Sequence, residues 1–224
     1  NRSYQDEPWL DFQWAQTGHD GQHLYHKVAR MYDNKPVKAC LNGEPTYEGM
    51  NNGKNGLGWW QGEDAWNQLM HGGTMGVVYG AVCLWQWKIT TDEPGWDSWT
   101  DAPMSWKEAM AQEGSNYAGL ISKAFAEFDF ADMERRRDLT DSDRYILARE
   151  GVFYIAYLDK GGTITIKNMT AGLPFYWFNP KTGVFGTEGI TSSEGLFKAP
   201  DNNPWVLIIG KKKDVSSLAQ STKP

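Results

Sequence analysis

The sequence predicts an α/β region followed by an all-β region, and two patterns carry this prediction. In about the first 130 residues, apolar strand-like runs alternate with segments of helical periodicity, as in a parallel sheet. After residue 131, short strands follow one another with only turns between them, which is typical of an antiparallel β-sandwich. We therefore predict one domain over residues 1–132, a second over residues 133–212, and a flexible tail over residues 213–224.

Three predicted strands alternate with two predicted helices in the first domain. A strand over residues 9–17 precedes a helix with one apolar face, which Pro36 ends. A short buried strand over residues 37–41 follows, and then a helix near residues 63–71. The run over residues 74–87 is apolar throughout, as expected of a strand buried on both faces. This βαβαβ order is the pattern of a parallel sheet.

The rest of the chain is predicted to contain two more helices and then strands. Ser105 and Glu108 form a capping-box pattern that opens a short helix, and a longer helix covers residues 115–128. The charged run over residues 133–138 is interpreted as a solvent-exposed linker. The predicted strands of the second domain cover residues 145–149, 152–158, 163–166, 174–179 and 205–209.

Composition excludes several classes of function. A formal net charge of −6 argues against a nucleic-acid partner or an anionic membrane surface, because both require a basic face. Two cysteines cannot form a disulfide framework, and no stretch approaches the ~18 apolar residues of a membrane span. The first seven residues do not form a signal peptide, so any export signal was removed or was never in this sequence.

The aromatic content points towards carbohydrate. Aromatic residues make up 14% of the chain, and several of the 12 tryptophans lie in polar segments that contain Gly or Pro. Such tryptophans can form flat apolar walls that suit sugar rings. The alternative is that they are ordinary core tryptophans.

Three parallel strands are too few to close a sheet, and their unpaired edge and helix faces would expose apolar surface. We therefore expect the first domain to be the C-terminal portion of a (β/α)8 TIM barrel. The leading strands would lie on another polypeptide or on a missing segment. The alternative is a small three-layer α/β domain that is complete in itself.

Three motifs in order carry a resemblance to a known family. They are Gln16-Thr-Gly-His19, Asn42-Gly-Glu-Pro-Thr-Tyr-Glu-Gly49 and Tyr79-Gly-Ala-Val-Cys-Leu-Trp-Gln-Trp87. Together they resemble strands six to eight of the apiosidase-like glycoside hydrolase barrel, the family of glycoside hydrolase family 140 and its relatives. Residues 131–210 resemble the β-domain that follows that barrel and is often labelled collagen-binding, through Trp177-Phe-Asn-Pro-Lys-Thr-Gly183 among others.

Glu44 is the candidate catalytic residue. It follows a buried strand, between Gly43 and Pro45, and active sites of TIM barrels lie at the carboxyl ends of the strands. The resemblance implies that Glu44 is the nucleophile on strand seven of a retaining glycosidase, and that the acid/base Asp lies outside this chain. The residues alone leave open that Glu44 is an exposed loop acid.

Other polar residues of the motifs are candidate substrate-binding residues. Four of them could hydrogen-bond Glu44 or the sugar, namely Gln16, His19, Asn42 and Tyr47. His19 could instead be a structural histidine. Glu48 is a rival nucleophile, although its place inside the loop suits a supporting role, such as an ion pair or a tie that holds the loop.

Four tryptophans are candidates for stacking on sugar rings. On a strand, Trp85 and Trp87 would share one face and Gln86 the other, and Trp87 is predicted to lie nearer the pocket. Trp96 and Trp99 lie in the long loop that follows, where they could build the rim of the substrate site or pack on the loop itself.

The sequence therefore predicts a glycosidase that acts on a polysaccharide or its side chains, secreted or periplasmic, with a carbohydrate substrate. Its expected partner is the N-terminal half of the same barrel, without nucleic acid, membrane, metal or cofactor. No His, Cys and Asp cluster has metal-ligand spacing, and neither a phosphate loop nor a nucleophile elbow is present. The alternative is a non-catalytic protein that binds polysaccharide or collagen.

Overall fold

The computed structural model of the protein describes residues 4–94 and 100–213. The chain divides into two compact units, residues 1–121 and 122–224, so the division lies earlier than the predicted boundary at residue 132. The elements of the first unit are β1 (Phe12–Gln16), α1 (His26–Tyr32), β2 (Ala39–Glu44), α2 (Met50–Gly53), α3 (Trp59–Met70) and α4 (Trp106–Ala109). Helix α5 (Gly114–Phe125) crosses the division between the two units.

In the first unit, β1 and β2 form a parallel two-stranded sheet connected through α1. One face of the sheet is covered, and Cys40 of β2 packs there with Val28 and Met31 of α1. The opposite face carries Phe12 and Trp14 of β1, both of which are exposed. Side chains alternate along β1, so one set lies on the face under α1 and the other set lies on the opposite face. The second set is exposed although Phe12 and Trp14 are apolar.

The predicted third strand is replaced by isolated bridges and turns. Val77 forms a parallel bridge with Asn42, and Ala81 forms one with Glu48. Residues 82–87 form turns, so the strand prediction is wrong over this part. Cys83 has a φ of 68°, in the left-handed region that a strand does not use. An uninterrupted apolar run does not distinguish a buried strand from buried turns.

The predicted helices are present with shifted ends. The capping box before α4 is confirmed, because the Ser105 side chain accepts from the backbone N–H of Glu108 and the Glu108 carboxylate accepts from the backbone N–H of Ser105. Helix α3 begins before the predicted start at residue 63, and it buries Trp66 and Leu69.

The second unit is built from antiparallel sheets. A six-stranded sheet has the order β3-β4-β5-β10-β7-β8, and β6 pairs with β9 in a separate two-stranded sheet. The strands are β3 (Glu134–Arg136), β4 (Ile146–Arg149), β5 (Phe153–Leu158), β6 (Thr163–Thr165), β7 (Pro174–Asn179), β8 (Val184–Ile190), β9 (Leu196–Lys198) and β10 (Trp205–Ile209).

Both sheets of the second unit contribute to one hydrophobic core. Tyr154 of β5, Trp177 of β7 and Leu207 of β10 lie in the same buried cluster as Ile164 of β6 and Phe197 of β9. The small sheet thus covers part of one face of the large sheet.

Strands β3, β8 and β9 were not predicted from the sequence. The charged run over residues 133–138 contains β3, so its interpretation as a linker is wrong. β3 lies at an edge of the large sheet, where charged side chains remain in solvent and discourage further pairing. Arg136 of this strand forms ion pairs with Asp138 and Glu150.

Candidate active site

A one-residue bulge at the end of β2 determines on which face of the sheet the Glu44 side chain lies. In the register with β1, Ala15 is opposite Asn42 and Gln16 is opposite Glu44, so Gly43 is the extra residue. An extra residue reverses the alternation of side chains, and Glu44 therefore lies on the same face as Gln16 and on the opposite face from Asn42. The Glu44 side chain is 26% exposed.

The bulge position has room only for glycine. A Cβ atom at Gly43 would lie 1.8 Å from the nearest ring atom of Trp14, well inside van der Waals contact. The Trp14 indole thus covers the Gly43 backbone, although it is itself 57% exposed.

Two side chains hold the Glu44 carboxylate. Nε2 of His19 lies 2.9 Å from Oε1 of Glu44, and the Tyr47 hydroxyl also donates to Glu44. Burial, followed by the negative charge of Glu44 and this hydrogen bond, raises the pKa of Tyr47 to about 12. The phenol therefore keeps its proton at neutral pH and remains a donor. The rings of His19 and Tyr47 contact each other, with centroids 4.9 Å apart.

Thr46 joins the loop that carries His19 to the loop that follows Glu44. Its hydroxyl donates to the Gly18 carbonyl at 3.1 Å and accepts from the Gly21 N–H at 3.2 Å. The carbonyl of Thr46 accepts from the Gln61 side chain at 2.9 Å. The sequence reasoning did not identify Thr46, and its position between Glu44 and Tyr47 in the second motif was the available signal.

Tyr47 rests on the backbone of Gly80. A Cβ atom at Gly80 would lie 2.4 Å from Cδ1 of the tyrosine ring, so a larger residue would push the ring away from Glu44. This contact explains why the third motif has a glycine at position 80. The sequence analysis did not identify a role for Gly80.

Glu48 is enclosed by hydrogen-bond donors in the interior. It is 2% exposed. Its Oε1 accepts from the Gly58 N–H at 2.7 Å, and its Oε2 accepts from the Tyr79 hydroxyl at 2.7 Å and the Gly114 N–H at 2.9 Å. Burial and the bond to Glu48 raise the pKa of Tyr79 far above its usual value. The geometry thus joins the loop after Glu44 to three other segments.

Asn42 is not brought to Glu44. It is buried on the opposite face of β2, beside Gln61, Asp64 and Gln68 of α3. Neither atom of its amide has a hydrogen-bond partner among residues 4–94 and 100–213. Gln16 is exposed on the same face as Glu44.

The tryptophan candidates are only partly described by the structure. Trp85 and Trp87 lie in turns, so the argument that they share a strand face does not apply. Both are exposed, and the Trp87 ring meets the edge of Trp106 at 5.7 Å. Trp96 and Trp99 lie outside the described residues.

The sequence analysis did not identify the paired histidine His23. His23 lies in the loop between β1 and α1, with Nδ1 3.0 Å from Oδ1 of the buried Asp64. Its ring stacks on Trp60 with centroids 4.5 Å apart and an angle of 11°. Because the partners lie about 40 residues further along the chain, local sequence spacing gives no signal for this pair.

Within the described parts of the chain, no group of three or more His, Cys, Asp and Glu residues is arranged to hold a metal ion. Across the same residues, no helix has both the length and the apolar character needed to span a membrane.

This chain spans about half the length of two of the solved structures that resemble it. One is described as a glycoside hydrolase, with a TM-score of 0.72, 20% identity, and coverage of 92% of this chain and 53% of its own. The other is described as a glycoside hydrolase family 5 from Bacteroides vulgatus ATCC 8482, with a TM-score of 0.76, 20% identity, and coverage of 95% and 53%. At this identity the likeness shows the fold.

Sequence comparison identifies the family. No curated protein sequence matches the chain. The family model described as "Apiosidase-like, catalytic domain" matches residues 1–132, which is more than half of the 224 residues. This confirms the resemblance carried by the three motifs. The chain belongs to the family of apiosidase-like catalytic domains.

Proposed function

We propose that this chain is the C-terminal part of a retaining glycosidase in which Glu44 is the nucleophile. The observation that carries the proposal is the Glu44 carboxylate at the end of β2, turned by the bulge to the exposed face and held by His19 and Tyr47. Glycosidases require a carboxylate fixed in this way, because it must attack one carbon atom from one direction.

The proposed chemistry has two steps. Glu44 attacks the anomeric carbon while an acid protonates the departing oxygen, and water then hydrolyses the glycosyl-enzyme with the same acid acting as base. The hydrogen bonds from His19 and Tyr47 fix the rotamer of the Glu44 carboxylate. The second carboxylate, an Asp about 5–5.5 Å from the nucleophile, would come from outside this chain.

The same proposal includes the architecture. We infer that residues 1–132 supply strands six to eight of a (β/α)8 barrel, followed by a β-sandwich. The parallel β1–β2 pair and the parallel bridges at Val77 and Ala81 support this order. The exposed Phe12 and Trp14 would face the missing part of the barrel. The chain also spans about half the length of the solved structures that it matches.

The proposed substrate is a polysaccharide or one of its side chains, and the proposed location is secreted or periplasmic. Trp87, with 66% of its surface exposed, is a candidate platform for a sugar ring. Stacking of sugars on aromatic rings removes apolar surface from water. Recovery of the native protein only from the cytoplasm would contradict this location.

The test uses the full-length protein and an aryl glycoside that it cleaves. Glu44→Gln should lower kcat/KM by about 1,000-fold or more, because the covalent step is lost. Glu44→Ala should be rescued by azide, which takes the place of the carboxylate and forms a glycosyl azide. Glu7→Gln, a change at an exposed acid, is the control.

Full cleavage by Glu44→Gln would overturn the assignment. Failure of the unaltered protein to cleave any glycan that it binds would instead favour the non-catalytic binding function.

A further inference from the structure

A cavity of about 400 Å³ opens on the second unit. Its volume falls in the range of about 300–1,000 Å³ that small-molecule sites occupy. Its lining comes from the ends of β4, β5 and β10 and includes Asp129, Arg149, Val152, Phe153 and residues 211–213. None of these residues belongs to the Glu44 site.

The lining of this cavity is strongly basic in a chain whose net charge is −6. The lining contains Arg149, the three consecutive lysines 211–213 and one acid, Asp129. The ammonium group of Lys212 lies over the rings of Tyr176 and Phe185, and that of Lys213 lies over Phe130. Lys212 forms an ion pair with Glu127 at 2.6 Å. For Lys211, no ion pair is found in the part of the chain that the structure describes. The cavity thus keeps an excess of positive charge after its own ion pairs are counted.

Arg149 is incompletely satisfied by the protein. Both terminal nitrogens of its guanidinium lie 3.4 Å from the same oxygen of Asp129, a long distance for a charged hydrogen bond. The buried Nε has no hydrogen-bond partner among the described residues. A guanidinium binds best when two of its N–H groups each meet a different oxygen of one carboxylate, and Asp129 does not provide this arrangement.

One side of the cavity is apolar. Val152 is 48% exposed and supplies the accessible apolar surface, whereas Phe153 beside it is 2% exposed. The positively charged side chains of Arg149 and Lys211 lie in the same cavity as the apolar surface of Val152. This combination suits a ligand that has both a flat apolar face and a carboxylate.

We propose that this cavity binds a uronic acid residue of an acidic polysaccharide. This inference rests on the proposed function, which makes the ligand a saccharide. Arg149 and Lys211 bind the sugar carboxylate, and the C–H face of the ring packs on the exposed side chain of Val152. The second unit would then hold the polymer while the first unit acts on it.

The test measures binding to the full chain by calorimetry. The probes are trigalacturonate, trimannuronate and the methyl ester of each, because esterification removes the charge and keeps the rings and the linkage. At least one acid should bind, its ester should bind on the order of tenfold more weakly, and added salt should weaken the binding of the acid.

Variants then locate the binding site. Lys211→Gln should weaken binding about fivefold, and Arg149→Lys should weaken it on the order of tenfold although the charge is kept. Lys160→Gln removes an exposed lysine outside the cavity and should leave the affinity unchanged. Circular dichroism of each variant confirms that it is folded.

Several results would overturn the proposal. They are equal binding of acid and ester, an unchanged affinity in Lys211→Gln and Arg149→Lys, or binding of polyglutamate but not of either uronate. The test is independent of catalysis, because Glu44→Gln should retain uronate binding. Loss of cleavage with intact binding supports this proposal, whereas absent binding with intact cleavage overturns it and leaves the role of Glu44 standing.

Discussion

Replacement of Glu48 by glutamine tests whether this buried carboxylate holds the loop that carries the site. The side chain is 2% exposed, and its two oxygens accept from Gly58, Tyr79 and Gly114 over 2.7–2.9 Å. The glutamine amide has the same shape but keeps one oxygen acceptor. With that oxygen towards Tyr79 and Gly114, its NH2 group must face the N–H of Gly58.

The expected loss of stability follows from these contacts. One buried donor is left unsatisfied, which costs about 1–3 kcal/mol. The remaining two bonds lose the strength that comes from a charged acceptor, about 0.5–1 kcal/mol each. We therefore expect Glu48→Gln to lower the free energy of unfolding by about 2–5 kcal/mol.

Urea unfolding measures this difference, with the midpoint and the slope determined for each protein. Glu113→Gln is the matched control, because Glu113 is a nearby exposed acid, and its change should stay within about 0.5 kcal/mol. If both variants unfold at the same urea concentration as the original protein, the three hydrogen bonds do not stabilise the loop and the reasoning is refuted.

Two further predictions concern the surroundings of Glu44. The pKa of Tyr47 is raised from its ordinary value of 10.0 to about 12, so its stabilising contribution is complete below pH 10 and is lost as the pH rises towards 12. Ultraviolet difference spectra of the protein and of Tyr47→Phe measure this titration, and a Tyr47 signal near pH 10 would contradict it. Gly43→Ala should cost about 1–3 kcal/mol by overpacking against Trp14, and Trp14→Ala in the same chain should remove most of that cost. An equal loss in the single and double variants, measured by urea unfolding, would show that the indole is not the obstacle.

The sequence predicted some of the residues that lie together at the candidate site and misplaced others. Glu44 and His19 were selected from motifs, and the structure places them 2.9 Å apart. Asn42 was selected by the same reasoning, yet it is on the other face of the strand. A bulge has no reliable signature in a single sequence, so the alternation of side chains cannot be followed past it.

Local pattern also limited the prediction of the fold. The strands Pro174–Asn179 and Trp205–Ile209 were predicted with their observed ends, because turn residues bound each of these apolar runs. Strand β3 was missed because its Glu-Arg-Arg sequence has the composition of a solvated segment. Its strand conformation comes from pairing with β4, a tertiary contact that overrides local propensity.

The bulge at Gly43 has a consequence for how this site can change. The number of residues in β2 determines on which face of the sheet the Glu44 carboxylate lies. One extra residue relative to β1 reverses the direction of the side chains that follow it. Loss of that residue would direct the Glu44 side chain towards α1 and α3, with its charge intact but away from His19 and Tyr47. The number of residues in β2 therefore determines the geometry of the candidate site as much as the identity of residue 44 does.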